Sequence, residues 1–348
     1  MNARPTPTST LAARHPLITA LESHDFAQGG ISRAQALELI DAVDETGPEL
    51  WDLMAIANRV RDALCGPDVH LCGIINAKSG HCPEDCAFCA QSTHFTTGIK
   101  TYPFLPADDV VEGGKVAASQ GATRYGIVTA TKDLRPGKML DRVLAAVRAV
   151  KADGTIQADA SLGIIYDLEV AEALKEAGLV ELNHNLETSR RYFPEVCSTH
   201  DYDERVNTLK LAKQAGLKLC SGGIFGMGET WEDRVDLALE LRGLEVDTVP
   251  LNFLHRIEGT PLSGAAELTP LEILKIVAIF RLLLPATEIK VAGGREVNLR
   301  ALQPLMFVAG ANSTMVGSYL TTGGWSHEKD HEMIRDLGLV PAEGGCAT

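Results

Sequence analysis

The sequence has little positive charge and no long apolar segment. Its 348 residues include 32 Lys and Arg against 46 Asp and Glu, which gives a formal net charge of −14. This excess of negative charge repels nucleic-acid backbones and anionic membrane surfaces. The richest apolar stretch, residues 273–284, is interrupted by Lys275 and Arg281 and is shorter than the roughly 20 residues that a bilayer requires. We therefore expect neither a nucleic-acid partner nor a membrane span.

A secretion signal is also missing, because no apolar segment follows the arginines near the N-terminus. We therefore expect a cytoplasmic protein, in which thiols stay reduced. Under these conditions the 8 cysteines of the chain indicate a metal site or catalysis before they indicate disulfides. The composition, with 45% hydrophobic residues, is sufficient for a large globular core.

The hydrophobic pattern changes near residue 70. Before this point a helix is predicted from an apolar stripe at helical spacing, formed by Leu53, Ile56, Val60 and Leu64. After it, short apolar or β-branched runs alternate with amphipathic helical segments. The pattern predicts an N-terminal helical extension over residues 1–70, an α/β domain over 71–340 and a C-terminal tail over 341–348.

Eight strand–helix repeats predict a closed (β/α)8 barrel of the TIM type, with a doubly wound open sheet as the alternative. The predicted strands are 71–76, 125–130, 155–160, 180–186, 218–224, 248–254, 289–293 and 313–317. The predicted helices are 108–119, 138–151, 167–177, 203–215, 231–243, 270–284, 299–309 and 328–337. In such a barrel the chemistry lies on the loops that follow the strands.

The loop after the first predicted strand carries three cysteines, Cys82, Cys86 and Cys89, in a C-x3-C-x2-C array. A structural zinc ion usually takes four protein ligands, whereas a [4Fe-4S] cluster held by three cysteines keeps one iron open. The array therefore favours an iron–sulfur cluster. The alternatives are a zinc site completed by His81 or His94, and three buried cysteines without a metal.

This spacing, with Phe88 just before the last cysteine, resembles the signature of the radical S-adenosylmethionine (SAM) superfamily. Longer motifs resemble the biotin synthase family within it, at residues 76–92, 183–189, 220–230, 249–252 and 293–296. The resemblance implies that Cys82, Cys86 and Cys89 ligate a [4Fe-4S] cluster that binds and cleaves SAM. It also implies the reaction of that family of sulfurtransferases, in which a 5′-deoxyadenosyl radical prepares dethiobiotin for the insertion of sulfur.

The same resemblance assigns further contacts. The positions that match SAM contacts of the family are Phe88, Asn185, Glu187, Arg205, Gly222 and Gly223, and those that match dethiobiotin contacts are Asn185 and Asn252. Better-known members have Asp where this chain has Glu187. A guanidinium group suits a carboxylate, and a side-chain amide offers the donor and acceptor that a cyclic urea needs. For Arg205 the alternative is a surface helix arginine.

The predicted fourth strand and a glycine-rich segment have physical interpretations of their own. Asn183, Asn185 and Glu187 alternate along the strand and would share one face, either toward ligands or in a hydrogen-bonded polar layer inside the barrel. The segment 222–228 lacks the pattern of a P-loop or a dinucleotide fold, which excludes nucleoside triphosphates and NAD. A bulged strand end is the alternative to close approach of SAM to these glycines.

The chain departs from better-known family members at their second cluster. Those members hold a [2Fe-2S] centre on three cysteines and an arginine, and the matching positions here are Gly126, Asp159, Cys220 and Lys290. Four other thiols could complete a four-iron cluster, namely Cys65, Cys72, Cys197 and Cys220. Their pattern, with residues 193–200, resembles an anaerobe-associated branch in which an auxiliary [4Fe-5S] cluster supplies the sulfur. Four separate buried thiols are the alternative.

The resemblance further implies a homodimer and a reducing partner such as flavodoxin or ferredoxin. Two other functions stay open at this point. The chain could be a related radical SAM enzyme of cofactor assembly that acts on another substrate, or an iron–sulfur electron carrier or assembly scaffold. The last cysteine, Cys346, lies in the glycine-rich tail and is expected to have no role.

Overall fold

The computed structural model describes residues 13–317 and 325–343. Its centre is a barrel of parallel strands surrounded by helices. The strands are β1 (Asp68–Lys78), β2 (Arg124–Thr129), β3 (Gln157–Ser161), β4 (Glu181–Asn183), β5 (Lys218–Cys220), β6 (Gly223–Phe225), β7 (Thr248–Phe253), β8 (Glu288–Val291), β9 (Ser313–Met315) and β10 (Val340–Pro341). Cys346, the cysteine predicted in the tail, lies outside the described residues.

The barrel has eight strand positions. Pairing runs in chain order from β1 to β9, and β9 pairs with β1 to close the ring. One position is shared by β5 and β6, which are separated by Ser221 and Gly222 and both pair with β7. The short β10 pairs outside the ring with Asp68 and Val69, at the start of β1. The predicted (β/α)8 barrel is confirmed, and the open sheet is excluded.

The helices flank the barrel, and the first three precede β1. They are α1 (Pro16–Leu21), α2 (Arg33–Ala42), α3 (Pro48–Cys65), α4 (Ala107–Ser119), α5 (Lys138–Asp153), α6 (Leu168–Ala177), α7 (Phe193–Val196), α8 (Tyr202–Gln214), α9 (Trp231–Gly243), α10 (Pro270–Leu283), α11 (Arg295–Leu299), α12 (Leu305–Val308) and α13 (His327–Asp336). Two short 3-10 helices, Pro261–Gly264 and Arg300–Leu302, connect them.

The apolar stretch near residue 280 is explained by burial inside the protein. Helix α10 lies between α3 and the barrel, and its residues 273–283 are all buried. On α3, the predicted stripe is confirmed, since Leu53, Ile56 and Val60 are buried against this core. Within the described part of the chain, no helix combines the length and hydropathy that a bilayer crossing needs.

Three predicted elements differ from the structure. The strand predicted over 218–224 is divided into β5 and β6 by Ser221 and Gly222. Strand β4 ends at Asn183, so Asn185 and Glu187 lie on the following loop, where Glu187 has a φ of 69°. The single helix predicted over 299–309 is wrong. It consists of shorter pieces, because Pro304 has no N–H to continue a helical ladder.

A buried charge layer crosses the lumen at the N-terminal ends of the strands. Arg124 forms an ion pair with Glu181, and its Nη2 lies 2.5 Å from Oε2 of Glu288. Thr248 Oγ1 donates to Glu181 Oε2 at 3.0 Å. All four side chains are buried and come from different strands. One guanidinium therefore compensates two carboxylates inside the barrel.

Arg124→Met should lower the free energy of unfolding by about 3–5 kcal/mol, because it leaves two buried carboxylates without their shared cation. Urea unfolding under reducing conditions measures the change. Arg33→Met is the matched control, since Arg33 and Asp236 form a pair whose side chains are nearly half exposed. That control should cost less than about 1 kcal/mol. Equal losses in the two variants would contradict a dominant role for the buried layer.

Candidate active site

The cysteine loop follows β1 and is folded back on itself by hydrogen bonds. Cys82 N donates to Gln91 O at 3.1 Å, and Thr93 N donates to Cys82 O at 2.8 Å. Ser92 Oγ donates to the carbonyl of Glu84 at 2.6 Å. As the barrel fold requires, this loop lies at the C-terminal ends of the strands, where the predicted ligands of the other loops also gather.

The three cysteines of this loop line one cavity of about 190 Å³. Among the described residues, only Glu84, Cys197 and His200 bring three candidate ligand atoms within 4.8 Å of one another. The sulfurs of the trio are thus spaced more widely than the ligands of a single zinc ion, which lie about 3.8 Å apart around tetrahedral zinc. His81 and His94, the candidates for a fourth zinc ligand, are both exposed. A multi-iron cluster therefore fits this loop better than zinc.

The thiols of the loop are protonated in the metal-free chain. Burial raises the pKa of Cys82, and it raises the pKa of Cys89 to about 11. A hydrogen bond to Cys197, followed by burial, raises the pKa of Cys86. Because metal ligands must be thiolates, binding of a cluster would release protons from this loop.

Glu84, which lies between the first two cysteines, connects three loops. Its Oε2 accepts hydrogen bonds from His200 Nδ1 and Thr199 Oγ1, and its Oε1 lies 3.1 Å from Lys132 Nζ. Although burial opposes it, these hydrogen bonds from Thr199 and His200 lower the pKa of Glu84. The carboxylate is therefore an anion that ties the cysteine loop to the loops after β2 and β4.

Arg205, on α8, is held by the same network. Its Nε donates to His200 Nε2 at 2.8 Å, and its Nη1 donates to the carbonyl of Asn185 at 2.7 Å. Since His200 accepts at Nε2, its proton lies on Nδ1, which donates to Glu84. Arg205 is only 8% exposed and lines the cysteine cavity. The alternative of a surface arginine is excluded.

The predicted SAM contacts Phe88, Asn185 and Glu187 line the same cavity as the cysteines. Glu187 Oε1 lies 3.5 Å from Arg205 Nη1, and burial raises the pKa of this carboxyl. Asn183, Asn185 and Glu187 all line this cavity, but the predicted strand alternation is wrong for the last two, which lie on the loop after β4.

Gly222 and Gly223, also predicted as SAM contacts, are explained by packing between strands. A Cβ on Gly222 would lie 1.9 Å from Pro250 O, and one on Gly223 would lie 2.6 Å from Glu187 O. Gly222 N donates to Asn185 Oδ1 at 3.2 Å. These glycines permit the close approach of backbones that positions Asn185 and Glu187.

A second cavity, of about 330 Å³, adjoins the first. The two share four lining residues, Phe88, Ser161, Asn185 and Glu187. The rest of its wall is mainly apolar and includes Ile74, Ile224, Phe253, Leu254, Ile257 and Met315. Ligands bound in the two cavities would therefore both contact these four residues and would lie next to each other.

Asn252, at the end of β7, lines this second cavity. Its Oδ1 accepts from Gly293 N at 2.9 Å, and its Nδ2 donates to Gly223 O at 3.2 Å. A side-chain amide has two donor hydrogens and two acceptor lone pairs, so one of each is still available for a ligand. The residue thus braces two loops and can also bind.

Below these cavities, two thiols face a lysine inside the barrel. Cys72, Cys220 and Lys290 are buried, and Asn183 Nδ2 donates to Cys220 Sγ at 3.3 Å. Burial raises the pKa of both thiols, whereas the two thiols keep the pKa of Lys290 high despite its burial. Burial, and then the nearby Glu181, raises the pKa of Asp159 in this layer to about 8.

The structure does not bring the four thiols predicted for an auxiliary cluster to one place. Cys72 and Cys220 lie in the middle of the barrel. Cys65 ends α3 below the barrel, where its sulfur accepts from Arg281 Nη1 at 3.4 Å. Cys197 Sγ lies at the mouth, 3.7 Å from Cys86 Sγ. Cys65 and Cys197 therefore lie at opposite ends of the barrel, with the central pair between them.

Reasoning from the sequence missed two residues of the site, Glu84 and His200. Both lie inside motifs that were noted for their cysteines. The available signal was an acidic residue between two candidate cysteine ligands and a histidine three residues after Cys197. Lys132, the third partner, follows β2 and carried no signal in the sequence.

Comparison with known proteins agrees with this geometry. Residues 78–241 match the model of the Radical SAM superfamily, and residues 250–340 match the Biotin and Thiamin Synthesis associated domain. The biotin synthase of Geobacter sulfurreducens is 52% identical over 88% of this chain and 92% of its own length. The biotin synthase of Geotalea uraniireducens is 47% identical over 93% of this chain and 98% of its own.

Solved structures agree in fold. Methylornithine synthase matches with a TM-score of 0.79 and 21% identity, over 94% of this chain and 97% of that protein. The hydrogenase maturase HydG of Carboxydothermus hydrogenoformans matches with a TM-score of 0.80 and 18% identity, over 94% of this chain and 78% of that protein. The family model, the two relatives and the cysteine cavity together establish that the chain belongs to the biotin synthase family of radical SAM enzymes.

Proposed function

We propose that the chain inserts sulfur into dethiobiotin to form biotin, with a [4Fe-4S] cluster and SAM in the first cavity and dethiobiotin in the second. The observation that carries this proposal is that the two cavities adjoin and share four lining residues. It allows a radical generated beside the cysteine loop to reach a substrate without crossing solvent. The alternative of an electron carrier or scaffold gives no reason for a second, mainly apolar cavity next to the cluster loop.

The residues present fit the cluster and SAM. Cys82, Cys86 and Cys89 would hold three irons and leave the fourth open to the methionine end of SAM. When bound, the reduced cluster supplies the electron that cleaves SAM. Arg205, pinned by His200 and a backbone carbonyl, would bind the SAM carboxylate with its remaining N–H groups.

The second cavity fits a molecule with a polar ring and an apolar chain. Asn252 and Asn185 offer amide groups to the ureido ring, which has both donors and acceptors. The aliphatic wall suits the hydrocarbon chain of dethiobiotin. Glu187, in the wall between the cavities, is placed to contact the SAM ribose or the ureido ring.

For the sulfur source we propose an auxiliary iron–sulfur cluster, with Cys72 and Cys220 as candidate ligands. Support comes from the burial of both thiols around Lys290, a cation that would offset the negative charge of a thiolate-ligated cluster. Cys65 and Cys197 do not fit this centre, so the four-cysteine [4Fe-5S] ligand set inferred from the sequence is not complete in this geometry.

The remaining partners follow from the reaction and the resemblance. Cleavage of SAM consumes an electron, which a reducing protein such as flavodoxin or ferredoxin would provide. A homodimer is inferred from the family resemblance. A cytoplasmic location is supported by the free cysteines of the described chain, since iron–sulfur thiolates need a reducing compartment.

Replacement of Cys82, Cys86 or Cys89 by Ala should abolish formation of 5′-deoxyadenosine, because each removes a ligand of the SAM-cleaving cluster. Mass spectrometry after an anaerobic reaction with SAM and a reductant measures the product. Cys65→Ala is the control, since that thiol lies below the barrel. A variant that lacks the cluster but still forms the product at the wild-type rate would refute the assignment, and a wild-type protein that cleaves no SAM would favour an electron carrier.

Asn252→Ala should weaken dethiobiotin binding by about 1–3 kcal/mol while SAM binding changes little, because polar groups of the ureido ring lose their partner. Equilibrium binding of each ligand measures the two effects. Asn298→Ala is a matched control. Asn298 braces the same turn at residues 293–294 through Gly294 O, and the segment after β7 through Leu254 O, but does not line the second cavity. An equal loss of both ligands in Asn252→Ala would mean that this residue only braces the loops.

If the auxiliary centre is a second four-iron cluster, the reconstituted protein should carry about eight irons per chain. Cys72→Ala and Cys220→Ala should then lose iron and biotin formation but still produce 5′-deoxyadenosine. Iron analysis and mass spectrometry measure the three quantities. Normal biotin formation in either variant, or about four irons in a fully active wild-type protein, would contradict an auxiliary cluster at these thiols.

A further inference from the structure

Lys132 lies between the first cavity and the solvent. It follows β2 and lines the cavity, and its side chain is 35% exposed. The charged residues Glu84, Glu187 and Arg205 line the same cavity and are buried. A ligand that approaches the cavity from this side would therefore meet the lysine before it meets the other charged groups.

The side chain of Lys132 closes the gap between neighbouring loops. Its Nζ donates to Thr199 O at 2.7 Å and lies 3.1 Å from Glu84 Oε1. Thr199 lies between α7 and α8, and Glu84 lies on the cysteine loop. The ammonium group thus reaches across the edge of the cavity, from the loop after β2 to the two segments opposite.

The backbone at Lys132 is held more firmly than the side chain. Ile164 N donates to Lys132 O at 2.9 Å, and Leu134 N donates to Ile164 O at 2.9 Å. Gly163, with a φ of 84°, permits this close approach, since a Cβ there would lie 2.6 Å from Lys132 O. By contrast, contacts of a partly exposed ammonium group on a flexible four-carbon stem are weak. The side chain can therefore swing away while the loop stays in place.

We propose that the side chain of Lys132 is a gate at the first cavity, which swings out to admit or release SAM and closes behind it. The inference rests on the proposed function, because it places SAM in this cavity. The closed gate excludes water from the site, and its opening limits how fast SAM enters and leaves. Such a gate acts equally on entry and release. Its loss should therefore raise both rates and leave the affinity for SAM nearly unchanged.

The test measures SAM binding to the full, anaerobically reconstituted chain without a reductant. Rapid mixing with radiolabelled SAM gives the association rate constant, and a chase with unlabelled SAM gives the dissociation rate constant. In Lys132→Met both should rise about fivefold, the upper range for loss of a partly exposed ion pair, while Kd stays within about twofold of wild type. Lys132→Arg, which keeps a long stem and its donors, should retain the wild-type rates. Lys138→Met is the matched control, since this exposed lysine does not line the cavity.

Other results would overturn the gate. Unchanged rates in Lys132→Met would mean that SAM enters by another route, such as the second cavity. Faster dissociation with unchanged association would mean that the lysine binds SAM directly. The same rise in Lys132→Arg would mean that its polar contacts do not close the site. If Lys132→Met takes up no iron, Lys132→Gln decides by the same two rates, because it keeps a polar group on a shorter chain. A wild-type protein that holds its iron but binds no SAM would refute the proposed function itself.

Discussion

The contact between Glu84 and His200 organises the mouth of the barrel. It joins the cysteine loop after β1 to the loop after β4, and Lys132 adds the loop after β2 to the same carboxylate. The histidine also orients Arg205, whose guanidinium is held in addition by a hydrogen bond to Asn185 O. A buried carboxylate without hydrogen-bond donors is energetically costly, so the donors of Glu84 hold these loops together. The geometry for cluster and cofactor is thus built into the chain itself.

The lumen of the barrel is divided into layers of different chemistry. The lowest layer is an ion-pair network around Arg124, the middle layer holds thiols around Lys290, and the upper layer carries amides and carboxylates. Layering follows from strand geometry, since side chains that point inward from neighbouring strands lie at common heights. The layers still interact electrostatically, since the pKa of Asp159 in the middle layer is raised first by burial and then by Glu181 in the lowest layer.

Periodicity was enough to predict the barrel but not the position of every thiol. Alternating strands and helices have distinct repeats, so eight units were evident and their order followed from the rules for parallel connections. By contrast, Cys65 and Cys72 are close in sequence yet lie on a helix end and inside the barrel. The position of Cys197 depends on how two loops dock through Glu84, a contact between distant segments that local patterns do not encode. The helix predicted over 299–309 is broken because Arg300 has a φ of 53° and Pro304 lacks an N–H.

The short strand β10 lies at one end of the barrel and the cysteine loop at the other. It pairs with Asp68 and Val69, so residues 340–341 lie at the end of the barrel opposite the cysteine loop. An affinity handle or surface linker joined to this side would tether the protein with its mouth facing outward. Immobilised on an electrode in this orientation, the molecule would leave its mouth open to diffusing ligands and would hold its reducible centre far from the conductor. Direct electron exchange would then be slow, and a soluble mediator would be needed to drive turnover.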